Sequence, residues 1–377
     1  MIFGVPREIK TQEFRVGAMP FLVKELSRKG HQILVETGAG EHCEATDSQY
    51  ERSGATIVPS AEKLYSGAEV ILKVREPQPV EIDLIRPDQA IFTFFHFINH
   101  ADLIKTLAAR GCTCLSYEFV EDEDGNHAIM APISRIAGQM AVTNGAYYLQ
   151  KHYGGRGIIM GHVTGSPPAS VTILGAGHVG QQAAITAANL GASVSVLDVD
   201  YRQLQTLNAL GHQNITTLIN SEESLRELLP QTDLLISALR VPGECTPKLI
   251  TAEMIRTMKQ GSVIMDVDAD LGGSLENVKI THHDNPIYEV DGVIHFSVSN
   301  ITSAAPQIAS RALSAALMPF LIPVSEHGFE ETLLLHPNLA KGITIYKGHV
   351  VKKFLAKAAG LTYTDLKQKI QELNPPD

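Results

Sequence analysis

VTILGAGHVGQQAAITAANLGASVSVLDVD, residues 171–200, reads as one folding unit. An apolar, β-branched run from Val171 to Leu174 enters Gly175-Ala-Gly177-His178-Val-Gly180. An alanine-rich helical stretch follows, and a second apolar run ends at Asp198. Strand, glycine turn, helix, strand and acid make up the dinucleotide-binding βαβ unit. Gly175 permits the tight turn. Gly177 lets backbone N–H groups approach a pyrophosphate at the positive end of the helix, and Gly180 lets the helix lie close to the strand. Asp198 stands 18 residues past Gly180, where a carboxylate can accept both ribose hydroxyls. Its charge would repel the extra phosphate of NADP, so the expected cofactor is NAD. A bare GxGxxG is weak evidence, but strands on both sides and the acid make this one specific. The bland alternative is a glycine turn in an ordinary parallel-sheet domain.

Working outward, 377 residues are too many for one comfortable core, so two domains are expected. With 44% hydrophobic and 19% charged residues the chain is globular. A net charge of −10 argues against nucleic acid and anionic membranes as partners, but not against a small anion held by local arginines. No apolar run approaches the ~20 residues that span a bilayer, and MIFGVPREIK enters a strand without a signal-peptide core, so the chain reads as cytoplasmic. Four cysteines give no disulfide framework. Cys112 and Cys114, two apart in an expected strand, read as small buried side chains, and no second ligand pair exists for a metal site.

Residues 1–120 alternate apolar runs with helical stretches. Strands are expected at 2–5, 32–36, 69–74, 90–95 and 113–119, and helices at 21–29, 47–53 and 101–110. Such alternation predicts a parallel sheet covered by helices. A long helix is predicted from Pro132 to about Tyr148, with further strands at 215–219, 233–239, 262–268 and 293–299. Ser303 is expected to cap a second long helix with Ala305, Ile308, Ala309, Ala312, Leu313, Ala316 and Leu317 on one face. A hairpin is expected around Lys347-Gly348. The two long helices bracket the dinucleotide unit. That suggests a doubly wound dinucleotide domain, residues 131–309, inserted into a discontinuous first domain, residues 1–130 plus 310–377. A third small domain at 325–377 is the alternative.

Ligands bind beyond the carboxyl ends of parallel strands, so polar residues ending apolar runs are candidates. His96 ends IFTFFHF, Arg75 ends VILKVREP, Asp270 follows VIMDVDAD, Asn300 follows VIHFSVSN, and Arg15 lies in the loop after the first strand. Spacing alone also permits plainer readings. His96 suits a core histidine, Arg15 and Arg75 surface arginines, Asp270 a capping or solvated acid, and Asn300 a turn residue.

Taken together, GVPREIKTQEFRVGAMP, LVETGAGE, LKVREPQP, FTFFHF, MAPIS, the glycine fingerprint, VPGECTPKLI, MDVDADLGG and VDGVIHFSVSN resemble the alanine dehydrogenase family in order and spacing over nearly the whole chain. That family shares its fold with the NAD-binding part of proton-translocating transhydrogenases. The resemblance implies two Rossmann-like α/β domains and NAD-dependent interconversion of L-alanine with pyruvate and ammonium. It implies that Arg15 and Arg75 bind the substrate carboxylate and that His96 and Asp270 manage protons. Ser134, Gly175, Gly177, His178, Gly180, Asp198, Leu239 and Asn300 would contact the cofactor. It also implies a homo-oligomer, commonly a hexamer.

The chain departs from the family pattern at several of these places. Arg75 stands for a usual lysine, Asp268 for a small apolar residue, Arg135 for an acid, Leu271 for glutamine, Ile301-Thr302 for Met-Pro and Arg240 for an apolar residue. The departures suggest an altered pocket, or compensated variation in which Arg135 and Asp268 pair. Three functions stay open: an alanine dehydrogenase, the same chemistry on another 2-oxo acid, or a transhydrogenase-like NAD(H)-binding module. Retention of Arg15, His96 and Asp270 favours the enzymes.

Overall fold

Short apolar runs become strands wherever a flanking helix can cover them. In the computed structural model, which describes residues 1–240 and 246–373, the strands are β1 (Ile2–Val5), β2 (Gln32–Glu36), β3 (Thr56–Val58), β4 (Val70–Arg75), β5 (Ala90–Phe94), β6 (Thr113–Ser116), β7 (Ser170–Leu174), β8 (Ser193–Asp198), β9 (Ile215–Ile219), β10 (Leu234–Ser237), β11 (Val263–Asp266), β12 (Ile287–Val290), β13 (Val293–Phe296), β14 (Ile343–Tyr346) and β15 (His349–Val350). Two units separate: Met1–Ile133 with the chain from Ser303 onward, and Ser134–Thr302.

The first unit carries an eight-stranded sheet in the order β3-β2-β1-β4-β5-β6-β14-β15. Its first six strands are parallel, and β14 and β15 add antiparallel at the far edge. Every residue of β4 and β5 is buried, as strands covered on both faces require. Lys347 and Gly348, both at positive φ, close the β14–β15 hairpin. The second unit carries the order β9-β8-β7-β10-β11-β13-β12, parallel except for β12. Both orders reverse beside the unit's first strand, β1 or β7, the doubly wound pattern whose crevice lies beyond the strand ends.

Several boundaries differ from the sequence reading. The run at 113–119 ends as a strand at Ser116, because Tyr117–Phe119 turns into a 3-10 helix. β3 and β12 are additions: one is three residues long, the other lies at a sheet edge with no residue fully buried, so neither carries an apolar signature. The second long helix is Pro306–His327, with Ala305 rather than Ser303 at its N-cap. Ser303 lies in the preceding 3-10 turn, where its Oγ accepts from Phe14 N–H at 3.1 Å and donates to Gln12 O. Ile308 is exposed, while Ser310 and Ser314 lie on the buried face beside Ala309, Leu313 and Leu317. This helix also corrects the expectation that no segment reaches bilayer-spanning length, for its 22 residues are long and apolar enough by length and composition. Leu313, Leu317, Leu321 and Val324 lie in the core of its own unit.

The glycine turn shows why its residues are small. Gly175 has φ +103°, and a Cβ there would run into Ala238 O, the first residue past β10. A Cβ at Gly180 would overlap Gly175 O. Gly177 borders open space. Gly180→Ala is therefore expected to cost about 1–3 kcal/mol by overpacking, read as a lower Tm of the full chain. An unchanged Tm would contradict the close helix–strand approach.

Candidate functional site

In the first unit three predicted residues come from the carboxyl ends of β1, β4 and β5. Arg15 sits in the loop after β1, Arg75 is the last residue of β4, and His96 lies two residues beyond β5. Neither arginine is on the surface: Arg15 is 4% exposed and Arg75 5%. Each is kept inside by a carboxylate. Arg15 donates from Nε to Glu13 Oε1 at 2.6 Å and from Nη2 to Glu13 Oε2 at 2.7 Å, a bidentate fork. Burial opposes both charges, yet the pair overcomes it. Glu13 is held below the usual carboxylate range by Arg15, with help from Arg75, and Arg15 is raised by Glu13.

Arg75 donates from Nε to Glu76 Oε2 at 3.1 Å, and its Nη1 lies 3.0 Å from His96 Nε2. Lys10 binds the other oxygen of Glu76. Against burial, Arg75 and Lys10 hold the Glu76 carboxyl below its ordinary range. A guanidinium has no acceptor, so the contact assigns His96 Nε2 as the acceptor and leaves that nitrogen without a proton. His96 is not a core histidine, for it is only half-buried. Its backbone is left-handed, φ +50°, a strained state for a residue with a side chain, and its N–H donates to Glu118 Oε1 at 2.7 Å.

Lys73, Glu8 and Glu81 escaped the sequence reading. Lys73 is 0% exposed and donates to Glu8 Oε2 at 3.0 Å and Glu81 Oε1 at 2.6 Å. Two carboxylates share one buried ammonium. Burial, only partly offset by Lys73, pushes Glu8 up to about 7. The available signal was LKVRE: residues 73 and 75 of one strand point to the same face.

In the second unit, Asp198 ends β8 and binds the glycine turn directly. Its Oδ2 accepts from Ala176 N–H at 2.5 Å and its Oδ1 from Asp200 N–H at 2.8 Å. Gly177 is the N-cap of the helix His178–Asn189 and is exposed. No side chain caps that end, so the first-turn N–H groups and the positive end of the helix face outward. Leu239, half-buried, follows β10 across the reversal of strand order from the turn. An anion of pyrophosphate type and a ribose fit this edge. Ser134 is half-buried in the helix Met130–Tyr148. Asn300 is buried, and its carbonyl accepts from His283 Nε2 at 3.2 Å.

Asp270 is half-buried in the 3-10 turn Ala269–Leu271 after β11. Beside it, enclosure of the Asp268 carboxyl and the charge of Asp270 push Asp268 up to about 8, against the pull of Arg240. Burial likewise raises Asp266 to about 7, with Lys248 opposing. Two departures from the family pattern, Asp268 and Arg240, are thus electrostatic neighbours. The suggested Arg135–Asp268 pair is not found among the described residues, and Arg135 is exposed. VPGEC, residues 241–245, lies outside the described residues.

Comparison with known proteins gives a consistent result. Residues 4–137 match the family described as alanine dehydrogenase/PNT, N-terminal domain, and residues 141–353 match the corresponding C-terminal domain family. An alanine dehydrogenase of Methanococcus maripaludis is 38% identical over 373 residues, 99% of this chain and 100% of the relative. One from Mycobacterium tuberculosis is 36% identical over 365 residues, 97% and 98% of the two chains. A solved L-alanine dehydrogenase superposes with a TM-score of 0.89 at 37% identity, covering 95% of this chain and 99% of that one. A solved transhydrogenase from Sinorhizobium meliloti gives 0.78 at 27% identity, covering 94% and 99%.

The raised value at Asp268 carries a pH signature. A carboxyl whose folded value lies above its unfolded one contributes stability that is complete below about pH 4 and lost as pH rises toward about 8. Asp268→Asn cannot acquire the charge. Its Tm should therefore gain on that of the unmodified protein between about pH 5 and about pH 9, and a constant difference across that range would contradict the assignment.

Proposed function

We propose, because the chain belongs to the alanine dehydrogenase/PNT family, that it interconverts L-alanine and NAD⁺ with pyruvate, ammonium and NADH. The observation that carries the reading is the first unit's cluster of Arg15, Arg75 and His96 at one carboxyl edge, each held by a named partner. The glycine turn, the uncapped helix end and Asp198 support a nicotinamide dinucleotide in the second unit. The carboxylate at 198 supports NAD over NADP.

In this reading Arg15 grips the substrate carboxylate. Its guanidinium is already oriented by Glu13, so little rotamer freedom remains to be lost on binding. Arg75 is proposed to have a further role beside its expected share in the clamp. Its Nε and Nη1 are committed to Glu76 and His96, which supports a role in orienting the imidazole. His96, whose Nε2 lone pair is occupied by Arg75 Nη1, can take a proton from the substrate ammonium when that contact is released, leaving an amine whose α-hydrogen departs more readily. The nicotinamide, when bound, supplies the hydride acceptor. Water adds to the resulting imine, and Asp270 and His96 take up and return the protons that release ammonium. Atoms balance as alanine, NAD⁺ and water giving pyruvate, ammonium, NADH and a proton.

Asp268 and Arg240 favour a second reading on one point, since two further polar groups beside Asp270 suit a 2-oxo acid with a further polar group. One assay separates the readings: full-length protein with NADH, ammonium and a panel of 2-oxo acids. Pyruvate is expected to give the highest kcat/KM, and a different best acid would move the substrate and keep the chemistry. NADH binding without turnover of any acid would overturn the dehydrogenase reading in favour of a transhydrogenase-like module.

A further inference from the structure

The loop that carries Arg15 is not itself a strand, so no sheet ladder takes its N–H groups. Val16 and Ala18 are fully buried and Met19 nearly so, and a buried backbone donor needs an acceptor. The acceptors are hydroxyls on the far end of the chain. Ser303 Oγ takes Phe14 N–H at 3.1 Å, Ser310 Oγ takes Val16 N–H at 3.0 Å, and Ser314 Oγ takes Met19 N–H at 2.9 Å. Residues 310 and 314 are four apart in the helix Pro306–His327, so their side chains stand one above the other on one face. Ser314 Oγ donates to Ser310 O at 2.8 Å, which uses its proton and leaves lone pairs for Met19. Ser310 Oγ also meets Cys43 Sγ at 3.2 Å, and Cys43 Sγ lies 3.4 Å from Phe14 O. The loop is pressed from its other side as well: a Cβ on Gly17 would run into Leu72 O of β4. Arg15 therefore sits on a stretch of backbone fixed between a strand and a ladder of serines.

We propose that Ser310 and Ser314, with Ser303, are positioning residues that set the substrate-binding arginine by holding its loop. The proposal rests on the reading of Arg15 as the carboxylate-binding group. Both serines are buried in a face otherwise made of Ala309, Leu313 and Leu317, a place where a hydroxyl costs free energy unless it is used. Removing either hydroxyl leaves a buried N–H without its acceptor, and the loop can relieve that only by shifting. A small displacement of an oriented group is enough to weaken a reaction that depends on placement.

The test uses the full chain with Ser310→Ala, Ser314→Ala and the double variant, and Ser310→Thr and Ser314→Thr as hydroxyl-retaining counterparts. Two readouts are taken: steady-state kinetics with pyruvate, ammonium and NADH, and amide exchange followed by mass spectrometry over residues 14–19. The alanine variants should raise KM for pyruvate at least about 5-fold while KM for NADH stays within about 2-fold, and exchange at 14–19 should speed up about 10-fold. The threonine variants should restore both. Faster exchange at 14–19 with an unchanged KM for pyruvate would overturn Arg15 as the carboxylate group and leave the tether standing. Unchanged exchange at 14–19 in folded alanine variants would overturn the tether itself, as would a KM effect that threonine fails to rescue. If an alanine variant does not fold, Ser310→Cys and Ser314→Cys decide, because a thiol keeps the bulk of the side chain but accepts only weakly: exchange at 14–19 should speed up with distant segments unchanged, and unchanged exchange at 14–19 would overturn the tether. Uniform exchange changes across the chain would refute the proposal.

Discussion

Where strand order reverses, beside β1 in one unit and β7 in the other, successive loops leave the sheet in opposite directions and a crevice forms beyond the strand ends. That constraint governs everything polar in this chain. Strands buried on both faces admit charge along their length only where it is fully matched, as Lys73 is by Glu8 and Glu81, so most charge collects at their carboxyl ends. β4 makes the point: Val70, Ile71, Leu72 and Val74 serve the core, and Arg75, the residue at its end, meets His96 from the neighbouring strand. The second unit repeats the plan with different residues. β7 delivers the glycine turn, β8 delivers Asp198 to that turn, and β11 leads to Asp266, Asp268 and Asp270.

Charges held this far from water must be matched. In the first unit Arg15 is matched by Glu13, Arg75 and Lys10 by Glu76, and Lys73 by Glu8 and Glu81. Removing one member of such a pair strands the other and costs about 3–5 kcal/mol, far more than the pair itself contributes to stability. The carboxylates are thus part of the site's geometry even where they never meet a substrate. The second unit is balanced less completely. Asp266 and Asp268 are raised to about 7 and about 8, so the acid cluster keeps protons near neutral pH.

Much of this was legible in the sequence, and the reasons are specific. Residues 171–200 carried turn, helix and acid in one continuous stretch, and the apolar runs of the parallel strands announced themselves because burial on both faces leaves no polar interruption. Arg15, Arg75 and His96 were found because they end or follow such runs. Their partners were not, because a carboxylate that serves an arginine two residues away looks like any surface glutamate until burial is known. Ser303 was read as a cap by its place before an apolar stretch; its hydroxyl instead serves a loop 289 residues away, a contact no local pattern encodes. Edge strands β3 and β12 failed for the opposite reason, being too short or too exposed to leave a pattern.

Both halves of the chain serve one event, the movement of a hydride between a nicotinamide and the α-carbon of an amino acid. Incubating the full-length protein with pyruvate, ammonium and NADH deuterated on both faces of C4, then weighing the product, tests it most directly. The expected product is alanine one mass unit heavier, with the deuterium on C2. Deuterated NADH recovered unchanged, with no labelled amino acid formed, would contradict it.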